Sequence, residues 1–424
     1  MGVFVLQHSF GKATTIAALD IGSSKVCCII AKVSKDKRIK VVGYGYNASR
    51  GIKNGVVTDI GQATIAVGNA VQDAEQMANE PIDKVIVSIG SEKIRSLLKT
   101  ASITLNKNRP ISDSDLEKVY VKGTAKVNVG EYSLIHCIHN SYRLDGGELL
   151  KDPRNLFAEE LSINILLGLV PEHICKNINT VIENAHLDIS GRVFDSYASG
   201  LACLVDDEKE MGATVIDMGG GTTSITSFKN GHPIYFAAIP VGGNNVTNDI
   251  AYGLTTSFSH AERLKTLHGC AFLTSQDSID TINVYPVGEE DDSCIKQIPR
   301  SELISIITPR IEETFEMVNR KLYEAGLAHD SSHRVVLTGG ASQLPGVVDI
   351  AAMVLDKQVR PGKPKNILNL PDNLYAPSFA TCVGMLLFAV NFSERRPKKI
   401  ISKPISAGNS WSDNLAMWLK TLWG

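Results

Sequence analysis

The stretch Val215-Ile216-Asp217-Met218-Gly219-Gly220-Gly221-Thr222-Thr223-Ser224 sets an aspartate and three consecutive glycines between two apolar, β-branched runs. Near the start of the chain, Ala18-Leu19-Asp20-Ile21-Gly22-Ser23-Ser24-Lys25 follows the same plan. Each pattern predicts a β-hairpin with a glycine-rich tip. Glycine allows the backbone to approach a bulky anion, and N–H groups and hydroxyls can donate to phosphate oxygens. Two such tips facing each other would clamp a nucleoside polyphosphate between two lobes.

An aspartate opens each tip, and Asp20 and Asp217 are therefore predicted to bind the waters of a Mg²⁺ ion. An aspartate in a turn also bonds to its own backbone, but two tips of the same kind favour the metal-binding role. Lys25 could contact phosphate, although a lysine on a strand is more often solvated. The residues predicted to bind phosphate are Gly22, Ser23, Ser24, Gly219, Gly220, Gly221, Thr222 and Thr223.

A third glycine-rich turn follows the apolar run Arg334-Val335-Val336-Leu337-Thr338. It consists of Gly339, Gly340 and Ala341, and an apolar stretch of helical character comes after it. Glycine is common where a strand connects to a helix, so the turn has an ordinary structural explanation. The alternative is that the adenosine end of a nucleotide lies against its bare backbone. The residues of this turn alone leave both interpretations open.

These three turns resemble the two phosphate motifs and the adenosine motif of the actin/Hsp70/sugar-kinase ATPase superfamily. Within that superfamily, the chain is similar to the bacterial cell-division family FtsA from about Thr14 to Phe392. Residues 49–59, 240–251 and 261–269 carry further similarity. The resemblance implies a two-lobed, actin-like α/β ATPase fold, with an α+β subdomain 1C of the SHS2 type inserted in place of subdomain 1B. It also implies ATP and Mg²⁺ as cofactors.

The resemblance also assigns single residues. Glu262 and Lys265 match the Glu-x-x-Lys with which actin-like relatives contact adenosine, and an exposed ion pair is the alternative. Asp195 is the nearest candidate to orient an attacking water, although a helix cap is the favoured interpretation, so at most slow hydrolysis is predicted. Arg310 matches the region of subdomain 2B that binds the C-terminal tail of the tubulin-like FtsZ. A solvated helix arginine is favoured on the sequence alone.

Strands and helices alternate in the same order in both halves of the chain. Residues 58–78 are predicted to form a helix capped by Asp59, and residues 301–325 a helix interrupted at Pro309. Residues 269–299 are expected to be rich in loops. The predicted domains are 13–84 (subdomain 1A, first part), 85–170 (inserted subdomain 1C), 171–195 and 376–392 (rest of 1A), 196–241 and 331–375 (2A), 242–330 (2B), 393–409 (flexible basic linker) and 410–424 (amphipathic membrane-targeting helix).

Composition bounds the class of protein. A chain of 424 residues exceeds what one core usually supports, so at least two domains are expected. The formal net charge of -2 argues against nucleic-acid binding. Eight scattered cysteines are typical of buried residues in a reducing cytosol. No apolar run is long enough to span a bilayer, and the N-terminus lacks the basic region of a signal peptide.

The tail carries a separate signal, because the chain's 3 tryptophans all lie within it. The tail is predicted to form a helix with one apolar face, which carries Trp411, Leu415, Trp418, Leu419, Leu422 and Trp423. A basic stretch with no hydrophobic periodicity precedes this helix and is expected to act as a tether. A tryptophan-rich face favours a lipid interface, whereas docking on the protein's own core is the alternative. The FtsA family ends in a membrane-targeting helix of this kind.

The resemblance implies an ATP-binding scaffold that polymerises and tethers FtsZ filaments to the cytoplasmic face of the inner membrane at the division site. Its expected partners are the FtsZ C-terminal tail, further copies of the chain, inner-membrane lipid, and later division proteins that bind subdomain 1C. The alternatives are an actin-like adaptor for pilus assembly and an enzyme of the sugar-kinase type. The terminal tryptophan helix favours the scaffold, because neither alternative needs it.

Overall fold

A computed structural model describes residues 14–125, 129–288, 295–328, 334–365, 367 and 370–393. Its strands are β1 Thr14–Ile21, β2 Lys25–Val33, β3 Ile39–Ala48, β4 Ile52–Lys53, β5 Val56–Val57, β6 Lys84–Ile89, β7 Arg95–Thr104, β8 Tyr132–Leu144, β9 Leu149–Leu150, β10 Glu160–Pro171, β11 Asp188–Phe194, β12 Ala213–Met218, β13 Thr223–Lys229, β14 His232–Ile239, β15 Thr281–Val284, β16 Lys296–Pro299, β17 Arg334–Thr338 and β18 Val359–Pro361. Its α-helices are α1 Ile60–Ala78, α2 Asp113–Thr124, α3 Glu172–Asn184, α4 Asp195–Cys203, α5 Asp206–Met211, α6 Gly243–Gly253, α7 Phe258–His268, α8 Arg300–Glu324, α9 Val347–Leu355 and α10 Ala380–Ser393.

Two five-stranded sheets follow the same plan. The first has the order β11-β6-β1-β2-β3 and the second the order β14-β13-β12-β17-β18. In each, three antiparallel strands form a meander and two further strands add in parallel. Asp20 pairs with Cys27 and Asp217 with Ser224, next to the two hairpin turns. Both predicted hairpins and the repeated order of elements are therefore confirmed, and the two sheets form the cores of a first and a second lobe.

An α+β insert, residues 95–171, lies between β6 and α3. Its antiparallel sheet has the order β7-β10-β8-β9, and α2 packs against β7 and β10. Leu116, Tyr120, Leu161 and Ile163 are buried in a hydrophobic cluster of its own. Ser112 begins α2 with a capping box, in which the Asp115 carboxylate accepts from the Ser112 backbone N–H at 3.1 Å. An inserted α+β unit is thus observed, and its equivalence to subdomain 1C stays a prediction.

The helices show where local signals succeed and where they fail. Asp59 caps α1 as predicted, because its Oδ1 accepts from the Gln62 backbone N–H at 3.0 Å. The predicted interruption at Pro309 is wrong, since α8 is continuous from Arg300 to Glu324. Proline removes one backbone hydrogen bond from a helix, and the packing of Leu303 and Phe315 in the second core outweighs that loss.

The region predicted to be rich in loops contains a short hairpin. β15 pairs with β16 over four residues in each strand, a length at which alternation of apolar and polar residues gives little signal. Among the described residues, no helix combines the length and apolar character needed to cross a membrane. Of the cysteines, Cys270 is half-buried and Cys294 lies outside the described residues, whereas Cys27, Cys28, Cys137, Cys175, Cys203 and Cys382 are buried.

Candidate functional site

The two glycine-rich tips meet face to face between the lobes. A Cβ at Gly220 would clash with the Ser24 hydroxyl, and one at Gly221 would lie 2.6 Å from Ser23 Oγ. The Ser24 hydroxyl donates to Asn244 Oδ1 at 3.0 Å, which joins the first tip to the start of α6 in the second lobe. Because only glycine leaves room for the serines, the two tips fit each other as complementary surfaces.

Asp20 lies at the floor of the cleft and is bound by a distant side chain. The Ser88 hydroxyl donates to its Oδ1 at 2.7 Å. Burial raises the pKa of Asp20 to about 6, and the nearby Asp217 adds to the rise, while the Ser88 hydroxyl and Lys25 oppose it. Because the pKa stays raised despite the positive charge of Lys25, a further cation beside Asp20 would stabilise its ionised form.

Asp217 stands opposite and is more deeply buried, with 6% of its surface exposed. Its Oδ2 accepts hydrogen bonds from the hydroxyls of Ser199 and Thr381, the latter at 3.0 Å. Burial raises its pKa even though both hydroxyls and Lys25 favour the charged form. A Cβ at Gly339, where φ is +86°, would clash with Asp217 Oδ1, so glycine is required there on two grounds.

Asp195 begins α4 behind these two carboxylates. Its Oδ1 accepts from the Ser196 backbone N–H at 2.7 Å and its Oδ2 from the Ser224 hydroxyl at 2.9 Å. Burial raises its pKa well above 3.8, and the charges of Asp217 and Asp20 raise it further. The helix-cap interpretation is wrong, because Phe194 is the cap residue of α4 and Asp195 is its first helical residue, and Asp195 does not line the cavity described below.

The charge of Asp217 raises the pKa of Asp20, and the charges of both raise that of Asp195, so the three carboxylates together attract a cation. Among the described residues, however, no group of three ligating side chains could hold a metal ion directly. This arrangement fits a hydrated divalent ion, which keeps several of its waters and is bound through them. Asp20 and Asp217 fit the water-mediated role that the sequence predicts.

Lys25 is not the solvated side chain that a strand position favours. Its ammonium group donates to the Ser378 carbonyl at 2.9 Å and lies 3.5 Å from the centre of the Phe379 ring. These contacts hold the Lys25 ammonium group at the floor of the cleft. There its positive charge lowers the pKa values of both Asp20 and Asp217. The sequence gives no signal for this position, because Phe379 is more than 300 residues away.

The far end of the cleft is formed by α6, α7 and the turn after β17. Lys265 Nζ lies 2.7 Å from Glu262 Oε2 and donates to the Gly243 carbonyl at 3.0 Å and the Thr247 hydroxyl at 2.8 Å. The Thr247 hydroxyl in turn donates to Glu262. A Cβ at Gly243 would lie 3.2 Å from the Ala341 Cβ. The Glu-Lys pair is therefore part of a network at the cleft wall and not a separate exposed ion pair.

The cleft encloses a cavity of about 680 Å³. Of the predicted site residues, those that line it are Asp20, Gly22, Ser23, Ser24, Asp217, Gly219, Gly220, Glu262, Lys265, Gly339, Gly340 and Ala341. Gly221, Thr222 and Thr223 lie outside the lining. The Thr222 hydroxyl donates to the Gly90 carbonyl at 3.2 Å and that of Thr223 to the Val241 carbonyl at 2.8 Å, so both are used within the protein.

The remaining predicted site residues lie away from the cleft. Arg310 Nε donates to Asp249 Oδ2 at 2.5 Å and its NH2 group to Asp249 Oδ1 at 3.1 Å, so it joins α8 to α6 and is not simply solvated. The tail residues Trp411, Leu415, Trp418, Leu419, Leu422 and Trp423 lie outside the described residues.

Comparison with known proteins decides the family. The sequence profile of the family described as Cell division protein FtsA matches residues 17–201 and 214–384. The chain belongs to the FtsA family. The Cell division protein FtsA of Agrobacterium fabrum (strain C58 / ATCC 33970) is 35% identical over 417 residues, covering 96% of this chain and 94% of the relative. That of Escherichia coli (strain K12) is 30% identical over 413 residues, covering 96% and 97%.

Solved structures confirm the actin-like fold of this FtsA family member. A PilM-PilN type IV pilus biogenesis complex is similar with a TM-score of 0.61 at 14% identity, over 89% of this chain and 99% of that chain. MreB5 of Spiroplasma citri bound to ADP is similar with a TM-score of 0.52 at 13% identity, over 88% and 95%. Membership of the family gives the chain a role in cell division.

Proposed function

We propose that the cleft binds ATP with Mg²⁺ and that the chain is an ATP-dependent scaffold of the bacterial division ring. The observation that carries the proposal is the cluster of three carboxylates whose pKa values burial raises, beside a hairpin tip and a turn that admit no side chain at Gly220 and Gly339. Buried carboxylates without a cation are costly, and a bare glycine backbone suits phosphate oxygens. A hydrated Mg²⁺ would neutralise the carboxylates, and the phosphate oxygens of a nucleotide would accept hydrogen bonds from the glycine backbone.

Each part of the cleft has a role in this proposal. Asp20 and Asp217 would hold the waters of Mg²⁺, which supplies charge neutralisation to the phosphates when it is bound. Gly22, Ser23 and Ser24 would donate to phosphate from one side and Gly219 and Gly220 from the other. Gly339, Gly340 and Ala341 would offer bare backbone to adenosine, with Glu262 and Lys265 as its polar contacts. Asp195 lies behind the cavity lining, so it would act on an attacking water through a second water and support at most slow hydrolysis.

Calorimetric titration with Mg²⁺–ATP tests this part of the proposal. The unchanged chain should bind it, and Asp217→Asn should weaken the affinity about 100-fold, the upper range for groups that act on a metal through an intervening shell. Asp249→Asn is the matched control, since it removes one surface carboxylate from α6 outside the cavity lining. The absence of any binding heat or of any response to Asp217→Asn would reject the nucleotide site.

The scaffold part of the proposal rests on the family and on the tail. We propose that the terminal helix attaches the chain to the cytoplasmic face of the inner membrane and that polymers multiply this weak attachment. The FtsZ C-terminal tail is the proposed partner at subdomain 2B, where Arg310 would have to exchange Asp249 for an acidic group of the peptide. The insert is proposed to bind later division proteins. Its own hydrophobic cluster supports this role, because the insert thereby has a packed core besides those of the two lobes.

Flotation with anionic liposomes tests the membrane role. Full-length chain should float, whereas a chain ending at Phe392 should remain at the bottom of the gradient. A chain with Trp418→Glu keeps the full length and serves as the control for truncation, because a charge on the apolar face opposes insertion at the interface. Equal flotation of all three forms would reject attachment by the terminal helix.

A further inference from the structure

The insert makes polar contacts with both lobes. In β7, the Ser96 hydroxyl accepts from the Phe236 backbone N–H and donates to the Phe236 carbonyl, both at 2.6 Å, and so joins the insert to β14 of the second lobe. In β8, His136 Nε2 accepts from the Phe194 backbone N–H at 3.0 Å, at the end of β11 in the first lobe. The insert therefore contacts both lobes.

His136 is held by packing on several sides. It is 2% exposed, and its ring makes edge contacts with Phe194 and Tyr197, with centroids 4.9 and 5.1 Å away. A tilted contact with Phe236 at 5.5 Å links it to the second lobe. A Cβ at Gly168 would lie 2.6 Å from the Phe194 ring, so β10 of the insert leaves the space that this cluster needs. The imidazole thus has one position relative to the end of β11.

The hydrogen bond falls at a point where the backbone needs an acceptor. Phe194 is the cap residue of α4, and its N–H is one of the donors that a helix start leaves unpaired. A capping box would supply Glu or Gln at the third helical position, but that position is Tyr197. The His136 imidazole replaces the missing carboxylate from another part of the chain. The next residue, Asp195, lies in the carboxylate cluster of the cleft.

We propose that His136 is a positioning residue, through which the insert fixes the first turn of α4 and so places Asp195 beside the Mg²⁺–ATP site. This inference rests on the proposed nucleotide binding. Asp195 reaches across to Ser224 of β13 at 2.9 Å, so a shift of the first turn moves a carboxylate that bridges both lobes. A protein bound to the insert would act on the cleft through the same contact.

The acceptor role requires a neutral imidazole. Burial lowers the pKa of His136 to about 3, so the ring is neutral at cellular pH. Because Nε2 accepts a hydrogen bond, the proton lies on Nδ1. Leucine has a similar bulk but cannot accept, whereas the side-chain carbonyl of glutamine can. His136→Leu and His136→Gln therefore separate the hydrogen bond from the packing.

Titration with ATP in Mg²⁺ and in EDTA, together with amide exchange at Phe194, tests the proposal. His136→Leu should lower the Mg²⁺–ATP affinity about tenfold, the lower range for groups acting on a metal through another residue. The same variant should leave the affinity in EDTA within about twofold. Exchange at the Phe194 amide should quicken. His136→Gln should restore both quantities. His139→Leu, which removes the imidazole that packs at a tilt against Tyr142 in the same strand, is the control and should change neither.

Three results would overturn the inference. They are unchanged Mg²⁺–ATP affinity in His136→Leu, an equal loss of affinity with and without Mg²⁺, and failure of glutamine to restore Phe194 protection. If the leucine variant does not fold, the comparison of glutamine with the unchanged chain decides, since glutamine must then preserve both readouts. An unchanged chain that binds no Mg²⁺–ATP would reject the proposed function itself and this inference with it.

Discussion

The two hairpin tips share one strand plan and differ in their side chains. The first tip has serines at positions 23 and 24, and the second has glycines at positions 220 and 221, where those serines pack. Two tips with serines would collide, and two with glycines would leave a gap. The difference shows that two hairpins with the same strand plan fit together at the cleft because their tip residues differ in volume.

The carboxylates of the two tips differ as well. Asp20 is bound by one hydroxyl, from Ser88 in a neighbouring strand. Asp217 is bound by two, from Ser199 and Thr381 on α4 and α10. These two helices pack against each other, so the second carboxylate is tied to the elements that connect the lobes. The carboxylate of Asp20, by contrast, accepts its side-chain hydrogen bond from a residue of its own sheet.

The largest expected effect tests the charge of the first tip. In EDTA, Asp20 has a folded-state pKa of about 6, above its ordinary value of 3.8. The folded chain then holds a proton on Asp20 that the unfolded chain has lost, so the contribution of Asp20 to the free energy of unfolding falls as pH rises from about 4 to about 6 and is level above. The loss amounts to about 3 kcal/mol. Asp20→Asn should lack it, and denaturant unfolding at pH 4, 5, 6 and 7.5 measures the difference.

Two further measurements sharpen that result. Mg²⁺–ATP should reduce the pH dependence of the unchanged chain, because a bound cation favours the ionised carboxylate. Asp249→Asn should leave the dependence in place. Parallel curves for Asp20→Asn and the unchanged chain between pH 4 and 7.5 would contradict the raised pKa of Asp20.

The next largest effect is expected on Mg²⁺–ATP affinity, when a side chain is added to one tip and removed from the other. Gly220→Ala places a Cβ against Ser24, and such overpacking should weaken Mg²⁺–ATP binding by about 2 kcal/mol. Adding Ser24→Gly to that variant removes the clash, so the double variant should bind no more weakly than Ser24→Gly alone. Calorimetric titration of the two single variants and the double variant gives the coupling energy between the tips.

Gly68→Ala is the control for a change of glycine to alanine. No atom lies within 4 Å of a Cβ at that site in α1, so binding should not change and the free energy of unfolding should rise by up to about 1 kcal/mol. Additive effects of Gly220→Ala and Ser24→Gly would show that the tips do not touch in the binding state.

The smallest expected effect tests whether the Thr222 hydroxyl in the second tip contacts the protein or the phosphates. Thr222→Val removes a hydroxyl that donates to the Gly90 carbonyl, which should lower the free energy of unfolding by about 1 kcal/mol. Its Mg²⁺–ATP affinity should stay within about twofold of the unchanged chain. Thermal unfolding and calorimetry measure the two quantities. A tenfold loss of affinity would instead support the phosphate contact that the sequence predicts for Thr222.

Much of the fold could be predicted because its signals are local. The hairpins, the cap of α1 by Asp59 and the insert follow from turn residues and from periodicity over a few neighbouring positions. The continuous α8 could not, since the packing of its buried face overrides the effect of Pro309. The hairpin of β15 and β16 was missed because four residues carry too little periodicity.

In the site, too, local sequence signals predict some features and packing between distant residues decides the others. The sequence by itself determined the glycine tips, their aspartates and the Glu262–Lys265 spacing, because close approach to phosphate demands particular residue types at particular turns. Only the tertiary structure decided which hydroxyls bind the aspartates, where Lys25 reaches, that Thr222 faces away, and that His136 completes the start of α4. Thr381 is 164 residues from Asp217, and Ser24 is 220 from Asn244. Contacts at such separations depend on how whole sheets and helices pack, and no local pattern of residues encodes them.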